Sequence, residues 1–446
     1  SPHAGSGRAR SVLPCPAVSQ QFVIQGGHAL AGTVTPTGNK NAALPILAAV
    51  LLSDEEIILE NVPDILDVHA MLAILDDLGV SVCEEPDGAL AFKADRLRGV
   101  SLDPELCRRL RASVLFAGPL LAREHAVDLP MPGGDFIGRR RIDTHLMAFR
   151  ELGATVEVAD RTYRMSHQGL RGAEIFLDEA SVTATENVLM AAVLAEGRTV
   201  ILNAACEPHV QDLANFLVTL GAQIEGIGTN RLIIDGVDRL SGGRYRVGPD
   251  YIEIASFIGL AAITGSDLVI TDARRDDLRA ILLGFGRLGI HVEWLDDSTL
   301  RVPPAQSLRI VSDEGGAIPK IDDGPWPAFP ADLTSIATAV ATQAHGEVMI
   351  FEKMFENRLF FVDKLVAMGA RIILCDPHRA VVSGPSQLYG ERVESPDIRA
   401  GMAMLIAGLA AKGTTTIGNI QQIDRGYERI DERLRAVGAR IERIDD

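Results

Sequence analysis

The chain has 446 residues, 47% hydrophobic and 23% charged, with a formal net charge of -17. That length calls for two or three domains around a sizeable core, and the acidic balance with only 5% aromatics excludes nucleic acid as the default partner. Mean hydropathy is +0.15, yet the longest apolar run goes only from Ala400 to Ala411, short of the ~20 residues that span a membrane.

Residues 1–20 have no apolar stretch of the kind a signal peptide carries and read as a disordered or appended tail. Five scattered cysteines (Cys15, Cys83, Cys107, Cys206, Cys375) form no C-x-x-C pair, which suits reduced thiols in a cytosolic protein. After a strand in 21–36, one pattern repeats six times. Each copy has a helix apolar on nearly every side, a β-branched strand, a loop, an amphipathic helix and a glycine that leads into another strand. The apolar helices begin with "NAALPILAAVLL", "RASVLFAGPLLA" and "TENVLMAAVLAEG" and continue with "YIEIASFIGLAAITG", "DLTSIATAVATQAHG" and "DIRAGMAMLIAGLAAKG". The strands after them are "EEIILENV", "HAVDLPM", "RTVILNA", "DLVITDA", "EVMIFEK" and "TTTIGNI". The closing glycines are Gly79, Gly153, Gly221, Gly289, Gly369 and Gly438, at near-even intervals. A glycine just past a helix takes the left-handed cap, and a helix apolar all round is buried all round.

Six α+β units, each with a buried helix, suggest three units closed round a core, twice. The pattern breaks at "RVGPD", at Gly248 and Pro249, and at "TPTGNK". The expected domains are therefore 40–247, and 248–446 joined by 21–39.

The residues expected to open the buried helices are unusual for a core. Lys40 and Asn41 open the first, Arg111 the second, Thr185 to Asn187 the third, Asp332 the fifth, and Asp397 with Arg399 the sixth. N-capping accounts for Asp397, Asp332 and Thr185. It does not account for Lys40, Arg111 or Arg399, because a cation opposes the helix dipole there; these three point to a bound anion. The strand-to-helix loops add Arg358, Asp424, Arg425 and the run "PMPGGDFIGRRRID". A single loop arginine is usually a solvated charge, but arginines in matching loops of several repeats are not explained so simply.

With these residues in hand, the chain resembles the enolpyruvyl transferases, in their sugar-nucleotide branch, from about Phe22 to Ile444. The resemblance rests on "GNKNAALPILAA", "RASVLFAGPL", "PGGDFIGRR", "TENVLMAAVLAEG", "WPAFPADL", "FENR", "DIRAG" and "IDRGYERI", in this order. It implies an α+β, two-domain inside-out barrel of six βαβαββ-type units, closing over substrate in the interdomain cleft. It implies transfer of the enolpyruvyl group of phosphoenolpyruvate to the 3′-hydroxyl of UDP-N-acetylglucosamine, with release of phosphate, at the first committed step of peptidoglycan synthesis. No metal or cofactor takes part, and the enzyme is expected to be a cytoplasmic monomer with small-molecule partners only.

Carried over by position, Lys40, Arg111, Arg140 and Arg425 hold the phosphoenolpyruvate anion or its adduct. Arg358 and Arg399 complete the positive wall, with Arg399 facing the carboxylate. Asp332 is the base for the sugar hydroxyl, Asn41 holds the sugar, Asp397 stabilises the cationic intermediate, and Asp67 is a further acidic site residue. Arg140, Ile142, Asp143, His145, Ser181 and Val182 grip the nucleotide, although His145 read alone is a structural histidine. The segment 131–141 is a lid, made mobile by Gly133 and Gly134. In it Asp135 stands where many relatives carry the cysteine that fosfomycin alkylates. Nearby arginines favour a charged Asp135, so it serves as an acid only if lid closure desolvates it. Arg141 stands where proline is usual, and Thr183 where glycine is usual. Both leave open a relative acting on another acceptor, such as uridine monophosphate or shikimate 3-phosphate. A non-catalytic sugar-nucleotide-binding relative is the third reading.

Overall fold

The computed structural model describes residues 19–134, 137–138, 141–304 and 306–445. They fall into two compact units, one holding 38–134 and 141–248, the other 19–37, 137–138 and 249–445.

In the first unit three buried helices form the centre: α1 (Lys40–Ala49), α2 (Ala117–Glu124) and α3 (Val182–Ala192). In the second the equivalents are α4 (Tyr251–Thr264), α5 (Thr334–Ala341) and α6 (Ile398–Ala410). Sheets surround each trio, so the layering of an ordinary barrel is inverted. The apolar-all-round sequences require this, because such a helix has no face to offer water. In α6, for instance, Ile398, Met402, Leu405, Ile406 and Leu409 are all buried, each stabilising by about 1.5–3 kcal/mol. The helix also passes very close to its neighbours. A Cβ on Gly401 would lie 2.2 Å from Ser395 Oγ and 2.6 Å from Ile423 Cγ1, so Gly401→Ala would force the helix away from its packing.

Every repeat builds one sheet. In five of the six the strand after the buried helix sits inside the sheet, Ala126–Pro130 being at an edge; in the first five it pairs antiparallel with the second strand of a hairpin, as Glu56–Glu60 does with Leu90–Lys93 and Gly346–Phe351 with Arg379–Gly384. On its other side it takes a parallel partner from just before the buried helix, as Arg198–Leu202 takes Glu174–Phe176. The second repeat keeps only a single bridge there, Ser101 to Asp128.

Closure is nonlocal. In the first unit the parallel partner of Glu56–Glu60 is Gly243–Arg246, from the unit's far end. In the second, Ala31–Val34 pairs parallel with Asp267–Ile270, and Gln20–Gln25 is inserted between Thr414–Gly418 and Arg440–Asp445. The early strands thus complete a unit built mainly from the residues after Pro249. All six closing glycines have positive φ, from 83° at Gly289 to 107° at Gly369.

The helix starts differ from the sequence reading in three places. The helix expected to open at Thr185 begins at Val182, capped by Ser181, so Thr185 lies one turn in and donates to the Ser181 carbonyl. Arg111 and Asp332 lie in 3-10 turns, Arg111–Phe116 and Ala331–Leu333, that precede α2 and α5. The N-cap of the Ala331–Leu333 turn is Pro330, and the Asp332 carboxylate is engaged by two arginines. Among the described residues no helix is long and apolar enough to cross a membrane.

Candidate active site

Several candidate residues of the first unit lie at or just before the starts of its buried helices, and others on or next to helices Leu66–Asp77 and Asp143–Glu151. Asn39 caps α1 by accepting from the Ala42 N–H at 3.0 Å, which leaves Lys40 as the first helical residue. Its ammonium is buried at the positive end of the helix dipole, an unfavourable place for a cation. Asp67, in the first turn of helix Leu66–Asp77, offsets this with a carboxylate 2.8 Å from Nζ, and both side chains are less than a tenth exposed. Breaking so buried a pair from one side costs about 3–5 kcal/mol. Asn41, next along, is half-buried.

Arg111 donates from Nη2 to the Arg141 carbonyl at 3.2 Å, and burial lowers its pKa. The glycines of the 131–141 segment have a packing reason as well as a conformational one. A Cβ on Gly133 would lie 1.8 Å from the Arg108 carbonyl oxygen, and one on Gly134, at φ +105°, 2.8 Å from Arg111 Cβ. Ile137 and Gly138 belong to the second unit, where the Asn357 N–H donates to the Ile137 carbonyl at 3.1 Å. Asp135 and Arg140 lie outside the described residues.

Arg141 and Asp143 are exposed and 3.6 Å apart. Ile142 is buried and precedes helix Asp143–Glu151. His145, on that helix, is buried, and its pKa falls to about 3, first because of burial and then because of Arg111. Ser181 caps α3, its hydroxyl accepting from Ala184, with Val182 half-buried beside it.

The second unit holds the densest charge cluster. Asp332 accepts from Arg358 Nη2 through one oxygen at 2.8 Å and from Arg399 Nη2 through the other at 3.0 Å. The arginine side chains are each 6% exposed and the carboxylate 26%. Burial pushes each guanidinium toward deprotonation, but the acidic neighbours together outweigh it and hold both above their ordinary value: Asp332 first, with Glu352 and Asp397 at Arg358 and with Tyr427 and Asp250 at Arg399. Behind Arg358 stands Glu352, 3.9 Å from Nε and fully buried. Burial raises Glu352 to about 9; Arg358 opposes this and Asp323 adds to it. Arg399 also donates to the Tyr427 hydroxyl at 3.2 Å, which meets Ser256 Oγ at 3.1 Å. Asp397 caps α6 by accepting from the Arg399 and Ala400 N–H groups. Arg425 donates to Gln422 at 2.9 Å, and Asp424 is bound by Arg443 at 2.8 Å.

The structure therefore joins Lys40 with Asp67, and Asp332 with Arg358 and Arg399. Sequence reasoning assigned Arg399 to an anion from its clash with the dipole, and Asp332 is an anion it meets within the chain. Two buried groups escape that reasoning: Tyr427, inside the motif "IDRGYERI", and Glu352, which shows no spacing that could announce it. Glu186, expected at the start of the third helix, is a buried acid whose pKa is raised by burial and then by Glu207. Among the described residues no group of His, Cys, Asp and Glu could hold a metal.

Two rings of three sheet-covered helices, with cations and carboxylates at the helix starts, define an anion-handling transferase fold. Residues 24–434 match the family described as EPSP synthase (3-phosphoshikimate 1-carboxyvinyltransferase), and the chain belongs to that family. It is 56% identical to the UDP-N-acetylglucosamine 1-carboxyvinyltransferase of Bradyrhizobium diazoefficiens, over 96% of this chain and 98% of that protein. It is 54% identical to the protein of the same name from Treponema denticola, over 95% and 99%. Among solved structures, the enolpyruvyl transferase NikO from Streptomyces tendae superposes with TM-score 0.85 at 23% identity, over 96% of this chain and all of that one. EPSP synthase from Acinetobacter baumannii does so with TM-score 0.74 at 19% identity, over 95% of this chain and all of that one. At such identities these structures establish the fold alone.

Proposed function

We propose that the chain transfers the enolpyruvyl group of phosphoenolpyruvate to the 3′-hydroxyl of UDP-N-acetylglucosamine, releasing phosphate, as the first committed step of peptidoglycan synthesis. The names of the near-full-length relatives supply the acceptor. The observation that carries the chemistry is Asp332 held between two buried guanidiniums.

The reaction adds the sugar oxygen to C2 of phosphoenolpyruvate and a proton to C3. It then removes a proton from C3 as the C2–O bond to phosphate breaks. Asp135 donates the C3 proton, and Asp332 takes the proton of the 3′-hydroxyl. Protonation at C3 leaves a cation-like centre at C2, which Asp397 stabilises. Lys40, Arg111, Arg140 and Arg425 bind the phosphate through charge-assisted hydrogen bonds, and Arg358 and Arg399 extend the positive field. Two guanidiniums on Asp332 would keep it a weak base. The phosphoenolpyruvate carboxylate competes for Arg399, and each hydrogen bond Asp332 gives up makes it a stronger base. Asn41 and Asp67 orient the sugar and Lys40. Arg140, Ile142, Asp143, His145, Ser181 and Val182 bind the nucleotide. The segment 131–141 acts as the lid, and the enzyme works as a cytoplasmic monomer.

The departures at Arg141 and Thr183 favour testing a second acceptor, uridine monophosphate. Phosphate release is measured with UDP-N-acetylglucosamine, uridine monophosphate or shikimate 3-phosphate in parallel. Release with the UDP-sugar alone supports the proposal. Release only with another acceptor keeps the chemistry and overturns the substrate, and release with none overturns the catalytic reading.

A further inference from the structure

A chain of four hydrogen-bonding groups, three buried and the last half-buried, runs from α2 to the start of α3, and its directions can be deduced in full. The Gly118 N–H donates to Asn187 Oδ1 at 2.8 Å, and Asn187 Nδ2 donates to the Val114 carbonyl at 2.9 Å. A backbone donor on one side and a backbone acceptor on the other fix the amide, since a flip would set like against like at both contacts. A Cβ on Gly118 would lie 2.5 Å from the Asn187 carbonyl oxygen, so this approach also requires glycine. The second hydrogen of Nδ2 points to His145 Nδ1 at 2.9 Å. Nδ1 must therefore be the acceptor, and the ring hydrogen sits on Nε2.

Nε2 lies 3.1 Å from Thr183 Oγ1, so the imidazole donates and the hydroxyl accepts. The His145 ring is buried and remains neutral at physiological pH, which keeps this polarity fixed. Thr183 Oγ1 must then send its own hydrogen elsewhere. Most helical threonines in the chain send it back one turn, as Thr185 does to Ser181, Thr264 to Leu260 and Thr338 to Thr334. For Thr183 that carbonyl belongs to Glu179, which lies outside the helix and already accepts from the Ser181 N–H. Among the described residues nothing accepts the Thr183 hydrogen, and the residue is half-buried. A hydroxyl with its donor direction set stands at the positive end of an eleven-residue helix, against the imidazole on which Arg111 acts.

We propose that Thr183 is a specificity-determining residue whose hydroxyl, oriented by Asn187 and His145, donates to a phosphoryl oxygen of the acceptor's diphosphate. The relay uses one of the hydroxyl's lone pairs to accept from the imidazole and leaves its hydrogen to be donated outward. It thereby favours a nucleoside diphosphate, with an anionic oxygen within reach of α3, over a nucleoside without one. This inference rests on the acceptor reading above.

The test is calorimetric titration of the full chain with UDP and with uridine, for wild type and for Thr183→Val and Thr183→Ser, with melting temperatures recorded in parallel. Valine keeps the shape and loses the hydroxyl. A hydrogen bond to a charged oxygen is lost, so Thr183→Val should bind UDP about tenfold more weakly or worse, bind uridine as wild type does, and leave the KM for phosphoenolpyruvate unchanged. Thr183→Ser should restore UDP binding. Unchanged UDP binding by Thr183→Val, or equal weakening for UDP and uridine, would overturn the proposal while leaving the reaction intact. A wild type that does not bind UDP would overturn both this inference and the acceptor reading.

Discussion

Replacing Asp332 by alanine leaves two guanidiniums facing each other, each only 6% exposed. Losing one partner of a buried pair costs about 3–5 kcal/mol. The carboxylate is itself a quarter exposed, and Arg399 retains Tyr427 while Arg358 retains Glu352 at 3.9 Å. Some of the loss is recovered, and about 3 kcal/mol is the expected destabilisation of the second unit. Asp332→Asn keeps an oxygen that can accept one arginine and should lose less, about 1–2 kcal/mol. Turnover should separate from stability. Both variants lack the proposed base, so kcat should fall by about 10²–10⁴ in each, despite their different unfolding midpoints. Urea unfolding followed by the fluorescence of Trp294 and Trp326, both in that unit, reads the first effect, and phosphate release the second. An alanine variant with normal turnover would refute the base assignment, and one with an unchanged midpoint would refute the account of the buried cluster.

Three further outcomes follow from named groups. His145 has its pKa lowered to about 3 by burial, so the unfolded chain takes up a proton below about 6.5 that the folded chain refuses. Its stabilising contribution is full above that value and falls with acid by at most about 1.4 kcal/mol per pH unit. His145→Gln should show a flatter decline of melting temperature between pH 6.5 and 4; a decline as steep as wild type would contradict the buried neutral ring. Glu352 is the opposite case. Its folded pKa is raised to about 9, so the unfolded chain loses a proton first, and stability falls as pH rises from about 4.5 toward that value. Glu352→Gln should flatten that alkaline decline, and an unaltered slope would place the proton elsewhere. With Asp135 in the proposed lid, fosfomycin should not inactivate the enzyme, while Asp135→Cys should make it sensitive; time-dependent inactivation with an adduct mapped to Asp135 would rule this out.

Local signals in the sequence were informative where the physics is local. The six glycines mark the ends of amphipathic helices because a left-handed cap has few other solutions, and the apolar helices are buried because they have no polar face. Where partners lie far apart in the chain, the signal fades. Nothing in "RYR" announces that Arg244 to Arg246 closes a sheet begun at Ile58 to Glu60. The dipole argument singled out Lys40 and Arg399 as residues that need a negative partner. It could not see that Asp67 and Asp332 meet that need within the chain, because the contacts join separate elements. The same limit hid the Asn187–His145–Thr183 relay, whose members are spread over two helices and were read as a helix start, a nucleotide contact and a departure from the usual glycine. Helix starts failed by a turn at Thr185 because Ser181, an equally good cap, lies four residues earlier.

The central claim is that the carbon–oxygen bond of phosphoenolpyruvate breaks, and it is tested most directly with phosphoenolpyruvate carrying oxygen-18 in the bridge between carbon and phosphorus. The labelled compound is turned over with UDP-N-acetylglucosamine, and both products are weighed by mass spectrometry. Addition and elimination should send the label into phosphate and leave the sugar nucleotide heavier by an unlabelled enolpyruvyl group. Label retained in pyruvate, with the sugar nucleotide unchanged or phosphorylated, would mean that the phosphorus–oxygen bond breaks instead and would contradict the account.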